Sequence, residues 1–213
     1  VRGKASYSFE NSSGQEQKVA LGVTPGYTIS NVRANGETVP FSVGDYQEFN
    51  EVLLEVTLPA EAQIELTMEY GGFPREDQNL SDSQGSTEIS GTYLQLENAA
   101  LSPRLLNVLP DENYYPTEME ITLPNAMTAI PFGSSRAEVV AEHEDGTKTW
   151  RWEDIGTGGI LYAGDYVRED IQAGGMTIEL YYGRKHQDIM TQANAADAVR
   201  DVVEYCAAHY GTQ

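Results

Sequence analysis

Along most of the chain apolar and polar side chains alternate. Ile64, Leu66, Met68 and Tyr70 are separated by Glu65, Thr67 and Glu69, and Leu54, Val56 and Leu58 by Glu55 and Thr57. Met119, Ile121 and Leu123 alternate with Glu118, Glu120 and Thr122, and Met176, Ile178, Leu180 and Tyr182 with Thr177, Glu179 and Tyr181. A period of two places alternate side chains on one face of a strand, so each segment is predicted to be a half-buried antiparallel strand.

Turn chemistry falls between such segments. Asn35-Gly36 and Asp145-Gly146 are dipeptides that accept the positive φ angles of tight hairpins. The second joins 137–143 to 148–153, where Trp150 and Trp152 are predicted to share a face. Strands at this density, with almost no helical pattern before residue 185, predict a mostly β fold: an antiparallel β-sandwich or curved sheet pair with one C-terminal α-helix.

Two segments depart from the pattern. Residues 71–91 are polar, rich in Gly and Ser and without apolar periodicity, so they are predicted to be a long mobile loop. On this reading residues 1–184 form a β-sandwich domain, either whole or as two β halves split by the 71–91 loop. In the remaining 185–213, Met190, Ala193, Ala196, Val199, Val203, Cys206 and Tyr210 recur at three- and four-residue steps. That spacing predicts an amphipathic helix over 187–210, with Gly211 as its C-cap. The helix either packs on the sheet or opens a further domain.

With 213 residues the chain can remove about 70 % of its unfolded surface from water, so its core requires neither disulfides nor a structural metal. The single Cys206 cannot form an internal bridge, and its place on the apolar stripe predicts a small core residue. Thirteen Lys and Arg against 33 Asp and Glu give a formal charge of −20, spread over both halves. Such a field repels phosphate backbones and anionic lipids, and no basic cluster reverses it, which excludes nucleic acid as a partner. No apolar run reaches the roughly 20 residues of a membrane-spanning helix. The chain starts at Val1 without Met, as an excised piece of a longer polypeptide would. Few lysines and one buried-type cysteine fit an extracytoplasmic or membrane-associated bacterial setting and leave the cytosol open.

A hydrolase or transferase needs a nucleophile with its base, a metal with three ligands, or paired carboxylates across a cleft. His143-Glu144-Asp145-Gly146-Thr147 begins like the zinc-binding H-E-x-x-H helix but carries Thr147 where the second His must stand. It also sits on a predicted hairpin, where positions i and i+4 do not share a face. His186 precedes the predicted helix and His209 lies in its last turn, where a cation suits the helix dipole. A phosphate loop, a dinucleotide fingerprint and a G-x-S-x-G elbow are all absent from the sequence. The acidic pairs Glu76-Asp77 and Asp111-Glu112 lack the alternating spacing of a calcium loop. No catalytic residue, metal ligand or cofactor site is predicted in this chain.

Three stretches, in order, resemble the N-terminal β domain of M1-family zinc aminopeptidases, particularly the bacterial branch found with membrane-transporter proteins. The first is Leu58-Pro59-Ala60-Glu61-Ala62-Gln63-Ile64-Glu65-Leu66-Thr67-Met68-Glu69-Tyr70-Gly71-Gly72, similar to a strand pair that ends in Tyr-x-Gly. The second is Tyr114-Tyr115-Pro116 with the strand 119–123 and Pro124. The third is Gly158-Gly159-Ile160-Leu161-Tyr162-Ala163-Gly164-Asp165-Tyr166, similar to a late strand of that domain. The resemblance spans about residues 50–211.

What the resemblance implies is a non-catalytic domain that shapes substrate access and supports a zinc peptidase domain downstream in the same polypeptide. Zinc is then expected only in that downstream domain, and Tyr205-Cys206-Ala207-Ala208-His209-Tyr210-Gly211 resembles part of its first helix. The family's N-terminal domains supply a Gln or Glu that helps hold the free α-amino group of a peptide substrate, ahead of an Arg and an acidic pair. Gln95 and Glu97, which precede Arg104 and Asp111-Glu112, are the candidates here, with a longer spacing to the Arg than the family's. The alternative is an extracytoplasmic β-sandwich binding module that recognises a glycan or protein partner through exposed aromatics, an option that thirteen tyrosines leave open.

Overall fold

A computed structural model describes residues 1–45, 52–74, 88–90, 92–97, 101–106, 116–132, 136–153 and 159–211. They group into two compact units, residues 1–125 with 129–163, and residues 126–128 with 164–213.

The first unit is built on a seven-stranded sheet. Its strands are β1 (Arg2–Glu10), β3 (Tyr27–Ala34), β4 (Glu37–Thr38), β7 (Gln63–Gly72), β11 (Glu118–Pro124), β13 (Glu138–Glu142) and β14 (Thr147–Glu153). They lie in the order β13-β14-β11-β1-β7-β3-β4, and each neighbouring pair is antiparallel. The predicted alternation appears directly as burial: Ile64, Leu66, Met68 and Tyr70 are buried on one face of β7, and Met119, Ile121 and Leu123 on the same face of β11. Trp150 and Trp152 do share the buried face, where Trp150 pairs with Ile121 and Trp152 with Met119. The opposite face is polar. There Lys4 and Arg151 lie among Glu118, Glu120 and Glu153 in a cross-strand ladder of ion pairs at 2.6–3.8 Å.

Two four-stranded sheets complete this unit. One contains β2 (Gln17–Val23), β5 (Phe41–Asp45), β6 (Val52–Leu58) and β10 (Arg104–Leu105), in the order β10-β2-β6-β5. The other contains β8 (Glu88–Ile89), β9 (Tyr93–Glu97), β12 (Thr128–Phe132) and β15 (Ile160–Gly164), in the order β12-β15-β9-β8. Leu21, Leu54 and Val56 from the first, and Leu94, Leu96, Leu161 and Ala163 from the second, are buried. The fold is the mostly β, multi-sheet antiparallel architecture that the periodicity predicts.

The turns follow the predicted chemistry. Asn35 and Gly36 have φ of 50° and 82°, both in the left-handed region that a two-residue hairpin loop of this kind demands. At Asp145-Gly146 only Gly146 is left-handed, and the Asp145 carboxylate closes the loop by accepting from the Thr147 amide and hydroxyl. Those bonds hold the Asp145 carboxyl below the usual range, the hydroxyl contributing most. Along β13 the register shifts between Val139 and Ala141, a bulge at the edge of the sheet.

The expected loop over 71–91 is overturned at both of its ends. Gly71 and Gly72 still belong to β7, and Glu88 and Ile89 form β8 by pairing with Gln95 and Leu94. Backbone pairing recruits these ends even though they lack apolar periodicity; 75–87 and Gly91 lie outside the described residues.

The second unit is a hairpin with a helical segment. Strands β16 (Tyr166–Ala173) and β17 (Met176–Gly183) pair antiparallel through Gly174-Gly175, both left-handed. A short 3-10 turn (Arg184–His186) leads into α1 (Gln187–Gln192) and α2 (Ala195–Tyr210). The predicted helix over 187–210 is therefore interrupted, because Asn194 adopts φ 49°, ψ 45° at the start of α2. Asparagine tolerates that conformation at low cost. Helix α2 packs against β16, and a Cβ added at Gly174 would sit 3.0 Å from the Ala207 Cβ and 3.5 Å from Val203 Cγ1.

Candidate functional site

The two candidate substrate-binding residues lie on one strand of the first unit. In β9 the period of two sends Leu94 and Leu96 into the core, at 3 % and 0 % exposure, and leaves Tyr93 and Gln95 half-buried. Gln95 pairs through its backbone with Glu88 of β8. The Tyr93 hydroxyl donates to the Gln95 side-chain oxygen at 2.9 Å, which orients the amide. Glu97 is the last residue of the strand, two positions further on. The structure thus brings the candidates together on one strand, while Arg104 begins β10 in another sheet. The pair Asp111-Glu112 lies outside the described residues, as does Tyr114-Tyr115.

A feature with no sequence signal lies at residues 101–103. Residues Leu101, Ser102 and Pro103, which follow the strand, are buried. The Tyr7 hydroxyl, from β1, donates to the Pro103 carbonyl at 2.5 Å, and the Tyr70 hydroxyl, from β7, donates to the Leu101 carbonyl. Tyr27 packs against the Tyr70 ring at 5.2 Å between centroids. Burial pushes the phenols of Tyr7, Tyr27 and Tyr70 well above the ordinary tyrosine range. Tyr7 and Tyr70 therefore remain hydrogen-bond donors at any physiological pH. Gly3 pairs with Tyr70 across β1 and β7, and its missing side chain leaves the space that the phenol ring occupies.

Concavities also lie elsewhere in the first unit. One, of about 420 Å³, lies on the polar face of the seven-stranded sheet, bounded by Arg2, Lys4, Thr28, Glu69, Glu120 and Thr149. On its rim His143 Nε2 meets the Thr149 hydroxyl at 2.8 Å, and that hydroxyl meets Thr122 at 2.8 Å. The histidine of the incomplete zinc motif is thus engaged with a hydroxyl on its own hairpin. Among the described residues no group of three His, Cys, Asp or Glu side chains is placed to hold a metal ion, so they do not fit a zinc site.

In the second unit one expectation is overturned. Cys206 is exposed, so it is not a core residue. The side of α2 that meets β16 carries Val199, Val203 and Ala207, all half-buried, and the residue after Tyr205 falls away from it. His209 is in the last turn as expected; its Nδ1 lies 2.8 Å from the Tyr205 carbonyl and its ring stacks on Tyr205 at 4.0 Å. Val202, Tyr205 and Tyr210 are 62 %, 57 % and 80 % exposed, which leaves apolar surface on the far side of the helix. No helix among the described residues is long and apolar enough to cross a membrane.

No known sequence family matches the chain, and no curated protein matches it in sequence. Its fold does match solved structures. The M1 zinc metallopeptidase of Deinococcus radiodurans aligns with a TM-score of 0.53 at 18 % identity, over 86 % of this chain and 43 % of that one. A mutant of that enzyme bound to the substrate Tyr-Ser-Ala gives 0.52 at 20 % identity over the same shares. Native yeast LTA4 hydrolase aligns at 0.51 and 11 % identity, over 97 % of this chain and 32 % of that one. The chain therefore has the fold of a part of these enzymes and spans less than half of their length.

Proposed function

We propose that this chain is the non-catalytic β portion of an M1 metallopeptidase-like protein, shaping the access of peptide substrates and supporting a zinc peptidase domain elsewhere in the same polypeptide. The observation that carries this reading is the extent of the fold match: 86 % of the chain falls within 43 % of the Deinococcus radiodurans enzyme. On this reading Gln95 and Glu97 receive the free α-amino group of the peptide, and zinc is held by residues outside this chain. The setting is extracytoplasmic or membrane-associated.

The coding sequence beyond Gln213 tests the proposal. An H-E-x-x-H motif within about a hundred codons supports it, and a stop codon immediately after Gln213 overturns it. In the longer protein, Gln95→Ala or Glu97→Ala raises KM for peptides with a free α-amine by about tenfold, the scale of one lost charge-assisted hydrogen bond. N-blocked substrates are unaffected. An equal effect on blocked and free peptides overturns the assigned role.

A further inference from the structure

We propose that Asn35-Gly36 is a latent deamidation site, and that Glu61, Gln63 and Glu65 hold the Asn35 amide back from reaction while the chain is folded.

The chemistry is written in the dipeptide. Asparagine is among the thermolabile side chains, and a glycine after it leaves the next backbone nitrogen unshielded. The Gly36 nitrogen can attack Asn35 Cγ and close a five-membered imide. The Cγ–Nδ2 bond breaks, and the leaving nitrogen departs as ammonia with the proton that the Gly36 amide gives up. Water then opens the imide at either carbonyl, giving aspartate or its β-linked isomer. Only water is consumed, and both residues are exposed to it.

The fold engages both polar atoms of that amide. At Asn35 the chain leaves the β3–β7 ladder for the turn, just after Ala34 pairs with Leu66. Its backbone N–H still donates to the Glu65 carbonyl at 2.9 Å, and its side-chain oxygen accepts from the Glu65 N–H at 2.8 Å. The side chain thus stands in for the carbonyl that a continuing strand would present. Nδ2 donates to the Gln63 carbonyl at 3.1 Å and to the Glu61 carboxylate. Two acceptors around the nitrogen and a donor at the oxygen allow the amide one orientation. Attack makes Cγ tetrahedral and swings Nδ2 out of the amide plane, which breaks its bonds to Gln63 and Glu61.

The product does not suit the same place. A carboxylate at position 35 has no N–H to offer and faces the Glu61 carboxylate and the Gln63 carbonyl with no donor between them. Deamidation therefore loosens the hairpin at the point where the intact amide ties it to β7.

Peptide mapping of the 213-residue chain at mildly alkaline pH measures the reaction, with the same chain in urea as the unprotected reference. Folded Asn35 is expected to react at least about tenfold more slowly than unfolded Asn35. Glu61→Ala is expected to speed the folded reaction by about fivefold or more, whereas Glu61→Gln, which keeps a side-chain acceptor, stays within about twofold of the original chain. Glu65→Ala removes a nearby carboxylate but keeps the backbone amide, and also stays within about twofold. Equal rates in the folded and unfolded chain overturn the proposal. So does a Glu61→Ala rate that is unchanged, or that is matched by Glu65→Ala. Asn35→Asp supplies the product directly: amide exchange over 32–39 and at Glu65 is expected to speed up by about tenfold, with β11 and β14 within about twofold. Unchanged exchange in that variant overturns the anchoring.

Discussion

Gly3 and Tyr70 face each other in register across β1 and β7, and a methyl group on Gly3 would lie 2.5 Å from both Cζ and Oη of the phenol. Tyr70 is 2 % exposed, with Tyr27 against its ring, so it has little room to retreat. Gly3→Ala is therefore expected to destabilise the first unit by about 1–3 kcal/mol, the usual cost of overpacking. Urea denaturation of the variant measures it. A change below about 0.5 kcal/mol would show that the ring shifts freely.

Trp150 and Trp152 bury their indole N–H groups without an acceptor among the described residues. An unmet buried donor costs about 1–3 kcal/mol, whereas truncating a buried Trp to Ala loses about 3–5 kcal/mol of packing. Trp152→Phe removes the donor and keeps much of the ring, so the two effects oppose each other. Its net cost is expected to stay below about 1.5 kcal/mol, because relief of the unmet donor offsets part of the packing lost with the smaller ring. Trp152→Ala should cost at least twice as much, and equal losses in the two variants would contradict the argument.

The buried tyrosines set an alkaline limit. Their folded pKa values lie above the unfolded value of about 10, so the folded state keeps protons that the unfolded state gives up as pH rises past 10. Their contribution is complete below that pH and is lost as pH climbs toward the folded values. Each such phenol steepens the fall by up to about 1.4 kcal/mol per pH unit. Denaturation midpoints should hold level to about pH 9.5 and then drop, and the drop should be shallower in Tyr7→Phe. An identical slope in that variant would remove Tyr7 from the explanation. Tyr181, pushed up to about 12 chiefly by burial and by its bond to Glu179, lies in the second unit and reports there independently.

Cys206 is the only thiol and is exposed on α2. A thiol-specific reagent such as Ellman's should modify one equivalent in the native protein at a rate unchanged by denaturant below the unfolding transition. Labelling that appears only on unfolding would return Cys206 to the core.

The strands are legible because each carries its own signal. One face of β7 or β11 is apolar and the other charged, and the alternation survives folding residue by residue. The Asn35-Gly36 turn is legible for the same reason, since two adjacent residues suffice to specify it. The bonds from Tyr7 and Tyr70 to the Pro103 and Leu101 carbonyls are not, because the partners are distant in sequence and nothing marks a tyrosine whose hydroxyl will meet a carbonyl. Gly3 is silent too, since its meaning depends on the residue across the ladder. In the helix the apolar spacing is real, but Asn194 turns the chain before α2 packs against β16. Residues such as Val203 are half-buried where the spacing alone predicts a core. Gln95 and Glu97 are marked only by the family resemblance, although the Tyr93 hydroxyl that orients Gln95 sits two residues away in sequence.

The bulge in β13 has a consequence for how these molecules behave in a crowd. Val139 and Val140 are exposed side by side on the outermost strand of the largest sheet, where a neighbouring molecule could add a strand of its own. A polymer growing by that route needs a regular row of open amides and carbonyls along the edge. The register shift between Val139 and Ala141 breaks the row at its middle, and Glu138 and Glu142 place a negative charge at each end of the strand. The β13 edge is thus a poor template, and concentrated solutions stay free of filaments seeded there.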